Sequence, residues 1–166
     1  MGTGAESDAA AVRPVELGPL GETISFVLRR ANAVVSDHIQ RGFAGEAIRP
    51  MLYAIMMALR HNPGARQTAV SAALGIKRTN FVPLFDELQD RGLAERRRVA
   101  NDRRAAALFL TEEGETLLRR LDELGQRIEA RFTARIGAEG RTQLLGLLHR
   151  LGDRAFDADN DEAAAG

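Results

Sequence analysis

Arginine is the residue whose type and spacing carry chemistry in this chain. From Gly92 to Gly114 the sequence reads Gly-Leu-Ala-Glu-Arg-Arg-Arg-Val-Ala-Asn-Asp-Arg-Arg-Ala-Ala-Ala-Leu-Phe-Leu-Thr-Glu-Glu-Gly, with guanidinium groups at Arg96, Arg97, Arg98, Arg103 and Arg104 crowding both sides of one turn. Between Arg60 and Arg104 ten basic residues stand against five acidic ones, a local charge of +5, while the formal net charge of the whole chain is zero and the remainder therefore carries −5. Charge segregation of this kind is the footprint of a DNA-facing centre with neutralised flanks, a merely solvated charged face being the alternative. Catalytic patterns are missing. There is no glycine-rich phosphate loop, no Gly-x-Ser-x-Gly and no metal-spaced set of histidines and acids. Ser25, Ser36 and Ser71 lack a neighbouring histidine with an orienting carboxylate, and His38, His61 and His149 are scattered. An enzyme is not expected, nor is a metal or a cofactor.

The bulk properties bound the answer further. With 166 residues, 45% apolar and 28% charged, the chain suits one domain with a single core. It has no cysteine, which excludes disulfides, thiol switches and cysteine-based zinc sites. No apolar run approaches the roughly 20 residues of a membrane span. Met1 to Val12 lacks the basic start and apolar block of a secretory signal, so a cytoplasmic location is expected and no membrane partner.

The arginines need elements to position them. Residues 1–21, rich in Gly, Ala and acids, read as a flexible arm. Glu22 to Gln40 carries Ile24, Val27, Leu28, Ala31, Val34, Val35 and Ile39 at helical spacing, with Gly42 and Gly45 as terminators. Pro50 opens a helix over Met51–Arg60 that is apolar nearly all round. Thr68 is placed to cap a short helix, Ala69–Leu74, closed by Gly75. A further helix from about Thr79 to Asp90 puts Phe81, Leu84, Phe85 and Leu88 on one face. Two helices joined by Gly75-Ile76-Lys77 make a helix-turn-helix. Leu93–Arg98 and Ala105–Leu110 are candidate strands around Ala100-Asn101-Asp102, weakened by their alanines. Thr111 caps the next helix, whose first turn holds Glu112 and Glu113 and whose stripe runs through Leu117, Leu121, Leu124, Ile128, Phe132 and Ile136. Gly137 to Gly140 interrupts it. A last helix, Arg141 to about Phe156, has Leu144, Leu145, Leu148 and Leu151 inward, and an acidic tail, 157–166, follows. The fold class is mainly α with a small β-hairpin wing. The DNA-binding lobe spans about residues 50–111 within a domain of 22–156. So small a core cannot cover the terminal helices, about 22–41 and 112–156, and a two-fold dimer through them is the expected solution; a monomeric bundle is the alternative.

In this order the residues resemble the MarR family of winged-helix regulators. The family's wing motif is Asp, any residue, Arg, five residues, Leu-Thr; here it is Asp102-Arg103-Arg104, then Ala105 to Phe109, then Leu110-Thr111. Upstream, Gln67-Thr68, Leu74-Gly75-Ile76 and Leu88-Gln89-Asp90-Arg91-Gly92-Leu93 also fit, so that the likeness covers residues 22–156. Two departures stand out. The peroxide-sensing cysteine of some members is absent, and Pro83 falls inside the recognition helix, which places it best in a first turn beginning at Thr79 or Asn80.

The resemblance implies a winged helix-turn-helix with N- and C-terminal dimerisation helices, acting as a ligand-responsive repressor on double-stranded DNA. The first turn of the recognition helix, Lys77, Arg78, Thr79 and Asn80, would read base edges in the major groove; a plain helix cap is the bland alternative. Arg104 would reach the adjoining minor groove with Asp102 orienting it, Arg103 being the runner-up. Arg96, Arg97 and Arg98 would touch phosphates or stay solvated. A homodimer presents two readers about one DNA turn apart, hence a pseudo-palindromic operator. The family's effectors are small, often aromatic or anionic molecules bound between the dimer helices and the DNA-binding lobe. In this sequence the lining would come from Arg29, His38, Arg49, Tyr53, Met56 and Met57, with His38 and Arg29 or Arg49 suiting a carboxylate or phosphate. Core packing of the methionines and a surface histidine are the competing reading. A winged-helix protein-interaction module that binds no DNA is the rival function, disfavoured by the density of arginine.

Overall fold

The computed structural model describes residues 15–99 and 102–152, with the side chains of 99 and 102–105 outside that description. The expected arm up to residue 14, the turn residues Ala100 and Asn101, and the acidic tail lie outside the described residues. The chain falls into two compact units, Met1–Asp37 and His38–Gly166.

The first unit holds a 3-10 turn, Gly18–Glu22, and most of α1 (Ile24–Phe43). The end of the expected arm is therefore ordered. Pro19 sits in the first turn, and Thr23 locks its end by donating both its amide, at 3.2 Å, and its hydroxyl, at 3.0 Å, to the Leu20 carbonyl. Ile24, Val27, Leu28, Val34 and Val35 project from α1 as exposed apolar side chains.

The second unit holds α2 (Pro50–His61), β1 (Ala65–Arg66), α3 (Gln67–Ala73), α4 (Arg78–Asp90), β2 (Ala94–Val99), β3 (Asp102–Leu110) and α5 (Glu112–Leu151). Its core is built from the apolar faces of α2 and α4 closed by α5 and one face of the sheet: Leu52, Ile55, Met56, Phe81, Phe85, Leu88, Leu108, Leu118 and Leu121 are all fully buried. Phe81 and Phe85, one turn apart, stack with centroids 6.0 Å apart. The three-stranded antiparallel sheet has the order β1-β3-β2, with Ala94 opposite Leu110 and Arg96 opposite Leu108.

Several expectations shift. α1 runs through Gly42 to Phe43; Gly42 keeps a negative φ and serves as a point of close approach, where a Cβ would come within 2.6 Å of Ile128 Cδ1. Thr68 does not cap α3, which starts at Gln67 after an uncapped Arg66; Thr68 lies inside the helix, its carbonyl accepting from Ser71 Oγ at 3.1 Å. α4 begins at Arg78, so Pro83 falls in the second turn and not the first. The carbonyl deprived of a partner is that of Thr79, an exposed residue at which water can replace the missing bond. The strands extend to Val99 and back to Asp102, longer than alanine-weakened propensity suggested, and β1 was not expected at all. The stop at Gly137 is a kink within α5, where the glycine adopts φ 77° and ψ 162°. Gly75 and Gly92 end α3 and α4 in the left-handed region, at φ 64° and 67°, with the next amides folding back from Ile76 to Ser71 O and from Leu93 to Leu88 O, each at 2.8 Å.

Candidate nucleic-acid interface

α3, the turn Leu74–Lys77 and α4 form the helix-turn-helix, with the buried face of α4 inward and its first turn outward. Lys77 stands just before the helix with extended backbone (φ −60°, ψ 139°), and no side chain caps the helix. Lys77, Arg78, Thr79 and Asn80 are all exposed, and among the described residues neither cation has a partner. Four polar side chains of base-reading or phosphate-binding type thus share a helix N-terminus whose amides and dipole favour an anion.

The arginine run does not behave as a block, because successive residues of a strand point to opposite faces. Arg96 shares a face with buried Leu108. Its Nη1 donates to Gln89 Oε1 at 2.6 Å, its Nη2 donates to Asp86 Oδ1 at 2.7 Å, and its guanidinium carbon lies 4.5 Å from the Phe85 ring centroid. Arg97 faces the other way, bonds Glu95 at 2.5 Å and lies 4.3 Å over the Phe109 ring. Arg98 is exposed with no partner among the described residues. The side chains of Asp102, Arg103 and Arg104 lie outside the described residues; their backbone forms the outer part of β3.

Of the residues expected to hold an effector, those in the second unit are not gathered into one site. Met56 is core, with no exposed surface. Arg49 precedes α2 and pairs with Glu87 of α4, to which Arg91 also lies close at 3.9 Å. His38 packs edge-on against Phe132, with centroids 5.3 Å apart. Arg29, in the first unit, stacks over Phe26 at 4.9 Å. Tyr53 and Met57 alone of the set line a common cleft, of about 670 Å³, between α2 and α5. The polar part of its remaining wall was missed by the sequence reading: Asp122, Gln126, Glu129 and Thr133, with Arg141 beyond the kink. Their spacing of four, three and four is helical and was available as a polar stripe beside the apolar one.

Two ion pairs frame that cleft. Arg60 of α2 donates to both carboxylate oxygens of Asp122, at 2.7 and 3.1 Å, and Arg141 donates to Glu129 at 2.7 Å across the kink. The Asp122 bond raises the Arg60 pKa further still. Burial, and then the charge of Asp122, push the Tyr53 phenol above its ordinary 10.0, with Arg60 opposing. Gly125 makes room for that hydroxyl, since a Cβ would approach it to 2.6 Å.

The chain that carries this exposed cationic helix start and arginine-rich strand pair is similar to known proteins. A sequence model of the MarR family matches residues 49–105. A protein of Thauera aromatica, assigned as a transcriptional regulator of the hcr operon, is 30% identical over 135 residues, which cover 81% of either chain. This chain belongs to the MarR family. The transcriptional repressor CouR, solved on a 23-mer DNA duplex, matches with a TM-score of 0.79 and 34% identity over 84% of this chain and 99% of its own. CouR solved with p-coumaroyl-CoA matches with a TM-score of 0.76 and 32% identity over 85% and 99%. The mainly helical MarR-type winged helix with its small antiparallel sheet is thus the fold, and transcriptional regulation is the work of its relatives. Among the described residues no helix of this MarR-family chain is long and apolar enough to cross a membrane.

Proposed function

We propose that the chain is a homodimeric, ligand-responsive transcriptional repressor, not an enzyme, working in the cytoplasm on a pseudo-palindromic operator. The observation that carries this reading is the first turn of α4, where Lys77, Arg78, Thr79 and Asn80 are exposed at an uncapped helix start. A helix enters the major groove by its N-terminal residues. Lys77 or Arg78 suits guanine and Asn80 adenine, each good bidentate pair discriminating by about 1–3 kcal/mol. The start at Arg78 leaves this turn regular, with Pro83 beyond it. Arg98 faces phosphate, and Arg104, oriented by Asp102, enters the minor groove with Arg103 beside it. The lobe of about residues 50–111 reads DNA, and the terminal helices pair the subunits.

The effector site is the cleft walled by Tyr53 and Met57. CouR was solved with an aromatic acyl thioester, and a cleft of about 670 Å³ has room for an aryl group against Tyr53, Met57, Ala130 and Ala134. An occupant acts only through unequal affinity for the DNA-competent and incompetent arrangements.

Fluorescence anisotropy on DNA from upstream of the chain's own gene, against scrambled duplex and across a salt series, tests the reading. Tighter binding to the upstream duplex, falling steeply with salt, is expected, with release on adding p-coumaroyl-CoA or a related aromatic thioester. Arg104→Ala should weaken binding at least about tenfold without changing the assembly. Equal, weak binding to both duplexes would point instead to a protein-interaction module.

A further inference from the structure

We infer that Arg96 is a positioning residue: it fixes the base of the wing on α4, so that wing and recognition helix meet the duplex at one set spacing, and it makes no contact with DNA itself. The inference rests on the DNA-binding reading above and assigns this arginine a different role from its neighbours.

Three side chains of α4 form its socket. Phe85 and Gln89 are one helical turn apart and Asp86 lies beside them. The guanidinium lies over the ring of Phe85 and donates from separate nitrogens to the Asp86 carboxylate and the Gln89 amide oxygen, at 2.7 and 2.6 Å. A flat fork with a stacking face is needed to engage all three at once. The contrast within the run supports the assignment. The Arg96 side chain is 28% exposed, while that of Arg97, on the opposite face, is 58% exposed and folds over its own sheet.

The socket lies just beyond the short link from α4 to the wing. Only Arg91, Gly92 and Leu93 separate α4 from β2, and Gly92 is in the left-handed region. The backbone bond from Leu93 to Leu88 O anchors the end of this link. Leu93 and Ala94 then bury into the core that α4 lines, and Arg96, two residues into β2, makes the first side-chain hydrogen bonds among the described residues from the strand back to α4, setting the angle at which the rest of the strand leaves the helix. That angle decides whether a minor-groove arginine and a major-groove helix can be satisfied together, since the grooves they reach are a fixed distance apart.

The experiment compares Arg96→Ala, Arg96→Lys, Asp86→Ala and their double variant by anisotropy on the upstream duplex, with hydroxyl-radical footprinting of the wing flank. A phosphate-binding arginine would be replaced adequately by lysine, and losing the nearby acid would leave affinity unchanged or improve it. A positioning arginine gives the opposite pattern. Asp86→Ala should weaken binding about three- to tenfold although it removes a negative charge near DNA, Arg96→Lys should not rescue, and the double variant should be no worse than either single one. Protection of the flanking minor groove should be lost while major-groove guanines stay protected, a split that general destabilisation does not produce. Gln89→Ala, which deletes one exposed partner and leaves the core untouched, should show the same split should Asp86→Ala melt. Unchanged or tighter binding by Asp86→Ala, or full activity of Arg96→Lys, would overturn the inference while leaving the regulator intact. Failure of the wild-type chain to prefer its upstream duplex would remove the DNA reading itself, and this inference with it.

Discussion

Tyr53 is the one tyrosine in a chain without tryptophan, so its ionisation can be followed alone by near-ultraviolet absorbance. Burial and the Asp122 carboxylate both favour the neutral phenol, and its midpoint should lie above 10.0. Because the folded value is the raised one, the stability it contributes is complete below the ordinary value and is lost as pH climbs through the folded value. Asp122→Asn should bring the midpoint down, since it removes one raising charge and leaves Arg60 to act on the phenol unopposed. A midpoint unmoved by that substitution would mean that Asp122 does not govern this wall of the cleft. Tyr53 and Met57 stood out in the sequence as the right kinds of residue, whereas Asp122 and Glu129 did not. On α5 they read as ordinary surface acids until Arg60 and Arg141 are seen to meet them, and those pairings cross 62 and 12 residues of sequence.

The start of α5 shows how much of an element can be carried locally. Thr111 accepts from the Gly114 amide at 3.0 Å and donates to the Gly92 carbonyl at 2.6 Å, with Glu112, Glu113 and Glu115 in the first turn. Cap and glutamates were legible because they lie next to one another in sequence. What Gly114 does was not. A Cβ there would fall 2.0 Å from the Leu93 carbonyl oxygen, so the helix docks on the link between α4 and β2 through the absence of a side chain. Gly114→Ala should cost about 1–3 kcal/mol or more, because backbone has to move, and a thermal melt unchanged from wild type would refute the contact. β1 was illegible for a related reason. Ala65 and Arg66 have no strand signal, and they are extended because β3 offers an edge at Ala107 and Leu108, where the Gly64 amide donates to Leu108 O at 2.8 Å. The arginine run was legible in composition and not in role, since which face each residue takes depends on register with β3.

At the scale of the molecule, the apolar stripe of α5 divides into two jobs. Leu121 and Ile128, which in the sequence look like interface, are core of the second unit at 0% and 7% exposure. Leu144, Leu145, Leu147, Leu148 and Leu151, beyond the kink, remain exposed. An apolar patch of this kind calls for a cover, and a second copy is the cover proposed here. Leu144→Asp with Leu148→Asp should therefore convert the dimer to folded monomer in sedimentation, whereas Leu121→Asp should unfold the lobe. A dimer that survives the double substitution would place the interface elsewhere. The wing's place at the sheet margin has a separate consequence. In the order β1-β3-β2, β2 leaves a row of amides and carbonyls open along one side, a template on which another chain can build cross-strand aggregates. Glu95, Arg96, Arg97 and Arg98 keep that margin charged, so the run proposed above to serve DNA binding also guards the edge against strand pairing while no DNA is bound. Stripping all three arginines to alanine would leave an alanine-rich margin with one charge, and loss of operator binding in such a variant would have to be separated from slow self-association.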